Sequence, residues 1–161
     1  MLFRSWFRRA PLMDYRVVHL AVHAIVSEDD DVGAGLVLAP GSGQDGFVTS
    51  ADLAQLRMDA ELVVLSGCRT AGGAVVGSEG VQGLTAPLLA AGARAILATR
   101  WRVPDAAAAR FVAGFYDQLV RQGDAAAALQ RARLAAERSG MAASVWTAFT
   151  LVGSAKPKVR L

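Results

Sequence analysis

Four consecutive apolar residues, Leu62-Val63-Val64-Leu65, stop at Ser66-Gly67 and are followed at once by Cys68, the only cysteine in the chain. A short unbroken apolar run bounded by turn residues reads as a strand buried on both faces of a parallel sheet, because a half-exposed strand would alternate. Such a strand commits the chain to a layered α/β architecture with cover on both sides. Arg69-Thr70-Ala71-Gly72-Gly73 follows as a Gly-rich loop leading towards a helix. In open α/β sheets, ligands and chemistry collect just beyond the carboxyl ends of the strands, and Cys68 stands at such an end. Cysteine also ranks among the most buried residue types and packs as a small hydrophobe. A structural role is therefore the competing reading of Cys68, and the rest of the chain has to decide between them.

The 161 residues are enough for one domain with a sizeable core, and 53 % hydrophobic content argues against disorder. One cysteine cannot form an intramolecular disulfide, which fits a reducing compartment and a cytoplasmic protein. The net charge is only +3, with arginines at Arg4, Arg8, Arg9 and again at Arg121, Arg131, Arg133 and Arg138. No zinc spacing and no nucleic-acid module signature accompanies them, so no nucleic-acid partner is expected. No segment approaches the roughly 18 apolar residues of a membrane helix, and the start lacks the apolar segment of a secretory signal. Phe3, Trp6 and Phe7 with interspersed arginines could lie on a membrane surface; a helix end packed on the sheet is the preferred reading, so no membrane partner is expected.

Residues 2–10 read as a helix ended by Pro11. Tyr15–Val22 is β-rich and apolar, and reads as a strand that contains His19 and ends at His23. The acidic run Ser27–Asp31 lacks the alternating ligands of a calcium loop and reads as solvated, so no metal is expected. Leu36–Ala39 is a short strand. Gly41, Gly43 and Gly46 spell Gly-x-Gly-x-x-Gly, but a dinucleotide loop needs its third glycine to open a helix directly. Phe47-Val48 intervene, so the loop reads as a hairpin turn, and Thr49 with Asp52 three residues on reads as the cap of a helix ending near Met58. A helix over Gly80–Ala91 capped by Gly92, a strand over Arg94–Trp101 and a helix from Pro104 to Arg121 follow. In that helix Phe111, Val112, Phe115, Tyr116 and Leu119 keep the 3.6 period. Gly123 breaks it, Asp124 caps a helix over Ala125–Arg138, and Val145–Val152 reads as a last strand before the basic tail 154–161. There is no internal repeat. Strands alternating with helices predict an α/β fold with a mainly parallel sheet in a single domain over residues 1–153.

Two strand ends thus carry nucleophile-type chemistry, His23 and Cys68, 45 positions apart. A catalytic thiol needs a base, and histidine is the usual one. Caspases place the nucleophile in Gln-Ala-Cys-[Arg/Gln/Gly]-Gly about 50 residues after their histidine, and Ser66-Gly67-Cys68-Arg69-Thr70 matches in part. The wider sequence resembles the CHAT domains, caspase-like cysteine peptidases of clan CD that are often fused to tetratricopeptide repeats. The resemblance is carried by Tyr15–His23, Gly35–Ala39, Asp45-Gly46 before the Thr49 helix, Asp59–Cys68, Glu79-Gly80-Val81, Leu89–Ala93, Trp101–Asp105 and Trp146–Gly153. These run in order from about residue 11 to 153.

The resemblance implies a three-layer caspase-like sandwich and a Cys/His dyad without a cofactor. Cys68 would be the nucleophile, His23 the general base and acid, and the backbone amides of Cys68 and Ala24 the oxyanion donors. His19 matches a second family histidine, read here as a packed, hydrogen-bonded core residue. Ala24 stands where the family usually has Gly, and Arg69 where it usually has Glu. The family also begins with strands that have no counterpart before Tyr15, so the chain reads as a domain lacking its first strands. The expected activity is cytoplasmic cysteine endopeptidase, acting on a protein or peptide and switched by a tetratricopeptide-repeat or other regulatory protein. The alternative is an inactive caspase-like interaction module or fragment. Asp105 and Glu79, on loops at the expected active edge, would select a basic residue before the scissile bond, or else cap their helices; Arg69 would favour thiolate or alter substrate preference.

Overall fold

The computed structural model describes residues 7, 9–26, 34–41, 43, 45–67 and 81–154, with backbone alone at 25, 26, 81 and 82. Its first strands are β1 (Val17–Leu20), β2 (His23–Val26), β3 (Ala34–Val37) and β4 (Phe47–Thr49). Helix α1 (Ser50–Ala54) and strand β5 (Leu62–Leu65) follow, then a 3-10 turn (Val81–Leu84), α2 (Thr85–Ala90) and β6 (Ala95–Thr99). Helices α3 (Asp105–Gln122), α4 (Ala125–Arg138) and α5 (Ala143–Trp146) lead to β7 (Phe149–Gly153).

Two sheets form among the described residues. The main sheet has the order β1-β5-β6-β7, with β1, β5 and β6 parallel and β7 antiparallel to β6. The smaller sheet, β2-β3-β4, is antiparallel throughout. Every residue of β5 and β6 is buried, as expected of parallel strands covered on both faces. Alternation then sorts the side chains. Val18, Leu20, Val63, Leu65, Ile96 and Ala98 face a core built with Leu36, Val48, Leu53, Leu84 and Leu88. Leu62, Val64, Ala95 and Leu97 face the other way, onto Phe111, Phe115, Leu119, Ala128 and Phe149. The outcome is a mixed α/β fold in three layers: helices α3 to α5, the mainly parallel sheet, and a layer of α1, α2 and the small sheet.

Local chemistry sets the element ends. Thr49 and Asp52 form a reciprocal capping box at α1. Gly123 takes φ 63° and donates to the Leu119 carbonyl, closing α3. Asp124 then accepts from the Ala127 amide at 2.8 Å and starts α4.

The structure corrects several boundaries. His23 does not end the first strand: β1 stops at Leu20, and after Ala21-Val22 the chain crosses into the second sheet, which His23 opens. Helix α1 ends at Ala54, short of Met58. The helix expected over Gly80–Ala91 is, where described, a 3-10 turn followed by α2, whose Pro87 is tolerated in the first turn. The last strand begins only at Phe149; Val145-Trp146 belong to α5. Of the helix expected over residues 2–10, only Phe7, Arg9 and Ala10 are described, with Phe7 helical and 2 % exposed. The acidic run and residues 155–161 lie outside the described residues.

Candidate active site

Parallel pairing brings the exits of β1 and β5 to the same edge. Leu20 opposite Leu65 is the last pair in register, and just beyond it the Ser66 amide donates to the Leu20 carbonyl at 3.3 Å. Gly67 then passes so close to the crossover from β1 that a Cβ there would collide with the Val22 carbonyl oxygen. Only glycine permits this approach, and it sets residue 67 against the segment that leads into His23. His23 is exposed and pairs with Val37 of β3.

The exit of β6 supplies a third part of the edge. The Trp101 Nε1–H donates to the Ser144 carbonyl at 2.8 Å, and the Arg100 guanidinium lies 5.5 Å from the Trp101 ring centroid. The bond to Ser144 ties the exit to α5. Val103, 1 % exposed, anchors the chain again before Asp105 opens α3. A cleft of about 250 Å³ lies between the exits of β1 and β5 and the start of α3, lined by Ala21, Val22, His23, Ser66, Gly67, Asp105 and Ala109. A second hollow of about 310 Å³ lies on the β3 side of His23, lined by Ala21, Val22, Val37, Leu38 and Ala39 as well as His23.

His19 sits within β1 on the face that looks towards α3. Its Nε2 is 2.6 Å from Ser66 Oγ, and its ring packs at 5.6 Å, centroid to centroid, against Tyr116 of α3. Its outer edge is open to solvent, so it is hydrogen-bonded as expected but is not a core residue. Loss of hydration on the packed side holds its pKa below 6.5. Burial pushes the Tyr116 phenol up to about 12, so that group is neutral at physiological pH.

Of the residues singled out from sequence, His23 and Asp105 share the cleft with Ser66-Gly67, the two residues that precede Cys68. Ala24 is 3 % exposed and pairs with Leu36, so strand pairing holds it in extended backbone that alanine adopts freely. Cys68, Arg69 and Glu79 lie outside the described residues. Among the described residues, no group of three His, Cys, Asp or Glu side chains could hold a metal ion, and no helix is long and apolar enough to cross a membrane. Sequence reasoning passed over Ser66 and Tyr116. Tyr116 was legible only as one more position of the 3.6-residue apolar stripe, and Ser66 only as a turn residue.

The profile of the CHAT domain matches residues 5–154. The chain belongs to the CHAT domain family. Two curated relatives of this CHAT domain are tetratricopeptide repeat protein 28 of Mus musculus and of Homo sapiens. The mouse protein is 41 % identical over 110 residues, which cover 67 % of this chain and 4 % of that protein. The human protein is 36 % identical over 113 residues, 69 % of this chain and 4 % of that protein. The CHAT domain described here therefore spans a small fraction of the length of the relatives it matches.

Proposed function

We propose that this CHAT domain is a cysteine endopeptidase domain of the cytoplasm, with Cys68 as nucleophile and His23 as general base and acid. The observation that carries this reading is that His23 lines one cleft with Ser66 and Gly67, the two residues that precede Cys68 in the sequence. The Cys68 thiol gives its proton to the imidazole and attacks the scissile carbonyl carbon. The amides of Cys68 and Ala24 hold the resulting oxyanion. His23 then protonates the leaving amine as the carbon–nitrogen bond breaks, which leaves a thioester; water, deprotonated by His23, hydrolyses it. Asp105 on the cleft wall, with Glu79, favours a basic side chain on the acyl side of the bond, and Arg69 favours the thiolate. Residues 1–153 form the working domain, and a tetratricopeptide-repeat protein, the kind of protein in which its relatives occur, presents substrate or releases activity.

The test is cleavage of a mixed peptide library, read by mass spectrometry. Cuts after Arg or Lys that vanish in both Cys68→Ala and His23→Ala, and that lose their basic preference in Asp105→Ala, support the reading. Cleavage that persists in Cys68→Ala, or no cleavage by the wild-type chain, contradicts it. The second reading, an interaction module without activity, is favoured by β1 standing at the edge of the main sheet among the described residues. Such an edge offers unpaired backbone groups to a partner strand. Partner binding unchanged in Cys68→Ala, with no cleavage, would select it.

A further inference from the structure

We infer that His19 and Ser66 form a positioning clamp that sets where Cys68 stands relative to His23. The inference rests on the peptidase reading above and deepens it by assigning two residues to that site.

The register requires something of this kind. β1 and β5 stay paired only as far as Leu20 and Leu65. Beyond that point the segment after β1 turns into the second sheet at His23, and the segment after β5 continues through Ser66 and Gly67. Among the described residues, a long backbone bond from Ser66 N–H to the Leu20 carbonyl, 3.3 Å, spans the divergence. At 3.3 Å that bond is longer than the usual N–H···O range. The side chains supply the missing constraint. His19 pairs across the ladder with Val64, so Ser66 is its diagonal neighbour on the same sheet face, within reach of a long side chain. The 2.6 Å separation of His19 Nε2 and Ser66 Oγ fits a strong hydrogen bond, with the imidazole tautomer setting which of the two donates. Tyr116 packs against the imidazole from α3 and fixes its plane. His19 lies four residues before the proposed base, and Ser66 lies two residues before the proposed nucleophile. A bond between them ties the exits of β1 and β5 together close in sequence to both proposed reacting groups. Gly67, pressed against Val22, keeps that short connection from bowing outward. Misplacement of reacting groups by about 1 Å costs on the order of 100-fold in rate, so a clamp at this position bears on catalysis while touching no substrate.

The experiment measures alkylation of Cys68 by iodoacetamide across pH; with one cysteine in the chain, the signal reports that residue alone. The variants are His23→Ala, Ser66→Ala, His19→Ala, His19→Gln and the double variant His19→Ala/Ser66→Ala. Wild type is expected to react faster than His23→Ala. Ser66→Ala and His19→Ala should each be slower than wild type by about five-fold, the worth of one net hydrogen bond. The double variant should be no slower than either single one, because the two residues act through one bond. His19→Gln places an amide where Nε2 was and should restore most of the rate, which recovery of packing alone would not do. Ser66→Ala removes one oxygen from a half-buried residue and so keeps the fold even if His19→Ala does not. If labelling depends on His23 but is indifferent to Ser66 and His19, or if the two losses simply add, the clamp is wrong and the dyad stands. If labelling ignores His23, the dyad is wrong and the clamp falls with it.

Discussion

Adding one methyl group at Gly67 probes how tightly the two strand exits are held. The new Cβ meets the Val22 carbonyl oxygen and lies 2.7 Å from Val22 N. All the nearest atoms are backbone, so no side chain can rotate away. Comfortable carbon contacts begin at about 3.5 Å, so the crossover from β1 to β2 has to retreat by about 1 Å. Overpacking of this kind costs about 2 kcal/mol, which for a chain of this length lowers Tm by about 4–8 °C. On the dyad reading the effect on chemistry is larger, because the same retreat displaces the segment that leads into His23; reactivity should fall on the order of 100-fold. Gly114→Ala is the matched control. It makes the same chemical change inside α3, where a Cβ meets nothing within 4 Å. It should stabilise the chain by about 0.5–1 kcal/mol through helix propensity and leave Cys68 labelling unchanged. Urea unfolding followed by tryptophan fluorescence reads stability, and alkylation of Cys68 reads the site. A Gly67→Ala chain as stable and as reactive as wild type would refute the close approach and the reasoning built on it.

Phe115, 0 % exposed at the centre of the α3 face of the core, should cost about 3–5 kcal/mol as Phe115→Ala, whereas Val120→Ala in the same helix, at a position 69 % exposed, should stay within about 0.5 kcal/mol, both read by urea unfolding. Burial holds the His19 pKa below 6.5, so below that pH the folded chain binds fewer protons than the unfolded chain. The contribution of neutral His19 is therefore complete above pH 6.5 and is lost as pH falls through the folded value; thermal unfolding should show this slope in wild type and a shallower one in His19→Gln. Tyr116, with its pKa raised to about 12, contributes stability that is complete below pH 10 and is lost as pH rises through that value. In a Tyr15→Phe chain, which leaves Tyr116 as the only tyrosine, phenolate absorbance should appear near pH 12, and its appearance at the ordinary value would contradict the packing against His19.

The parts legible in the sequence were those fixed by local chemistry. Leu62–Leu65 is β5 to the residue, because only a strand covered on both faces tolerates four apolar residues in a row. Thr49 and Asp52, three apart, formed their capping box, and Gly123-Asp124 ended one helix and began the next, because these side chains bond to backbone within reach along the chain. Distant contacts decided what was misread. Val145 and Trp146 favour a strand on their own, yet α5 forms there, beside a Trp101 that bonds to the Ser144 carbonyl 43 residues away. His23 looked like a strand end because Tyr15–Val22 is uniformly β-rich. What moves it into a second sheet is pairing with Val37, which no local pattern announces. At the site, His23 and Asp105 line one cleft, His23 just past the exit of β1 and Asp105 at the first turn of α3. The link between His19 and Ser66, 47 positions apart, required the register of β1 on β5, and register is not written in composition.

The most direct test of the Cys68–His23 pair is the rate at which Cys68 reacts with iodoacetamide at pH 7, with and without the imidazole of His23. A free cysteine thiol is only a few per cent thiolate at that pH. A paired base raises that fraction, so the wild-type chain should react about ten-fold or more faster than His23→Ala, with both folded by circular dichroism. Equal rates in the two chains would mean that His23 does not act on Cys68, and the dyad would have to be abandoned.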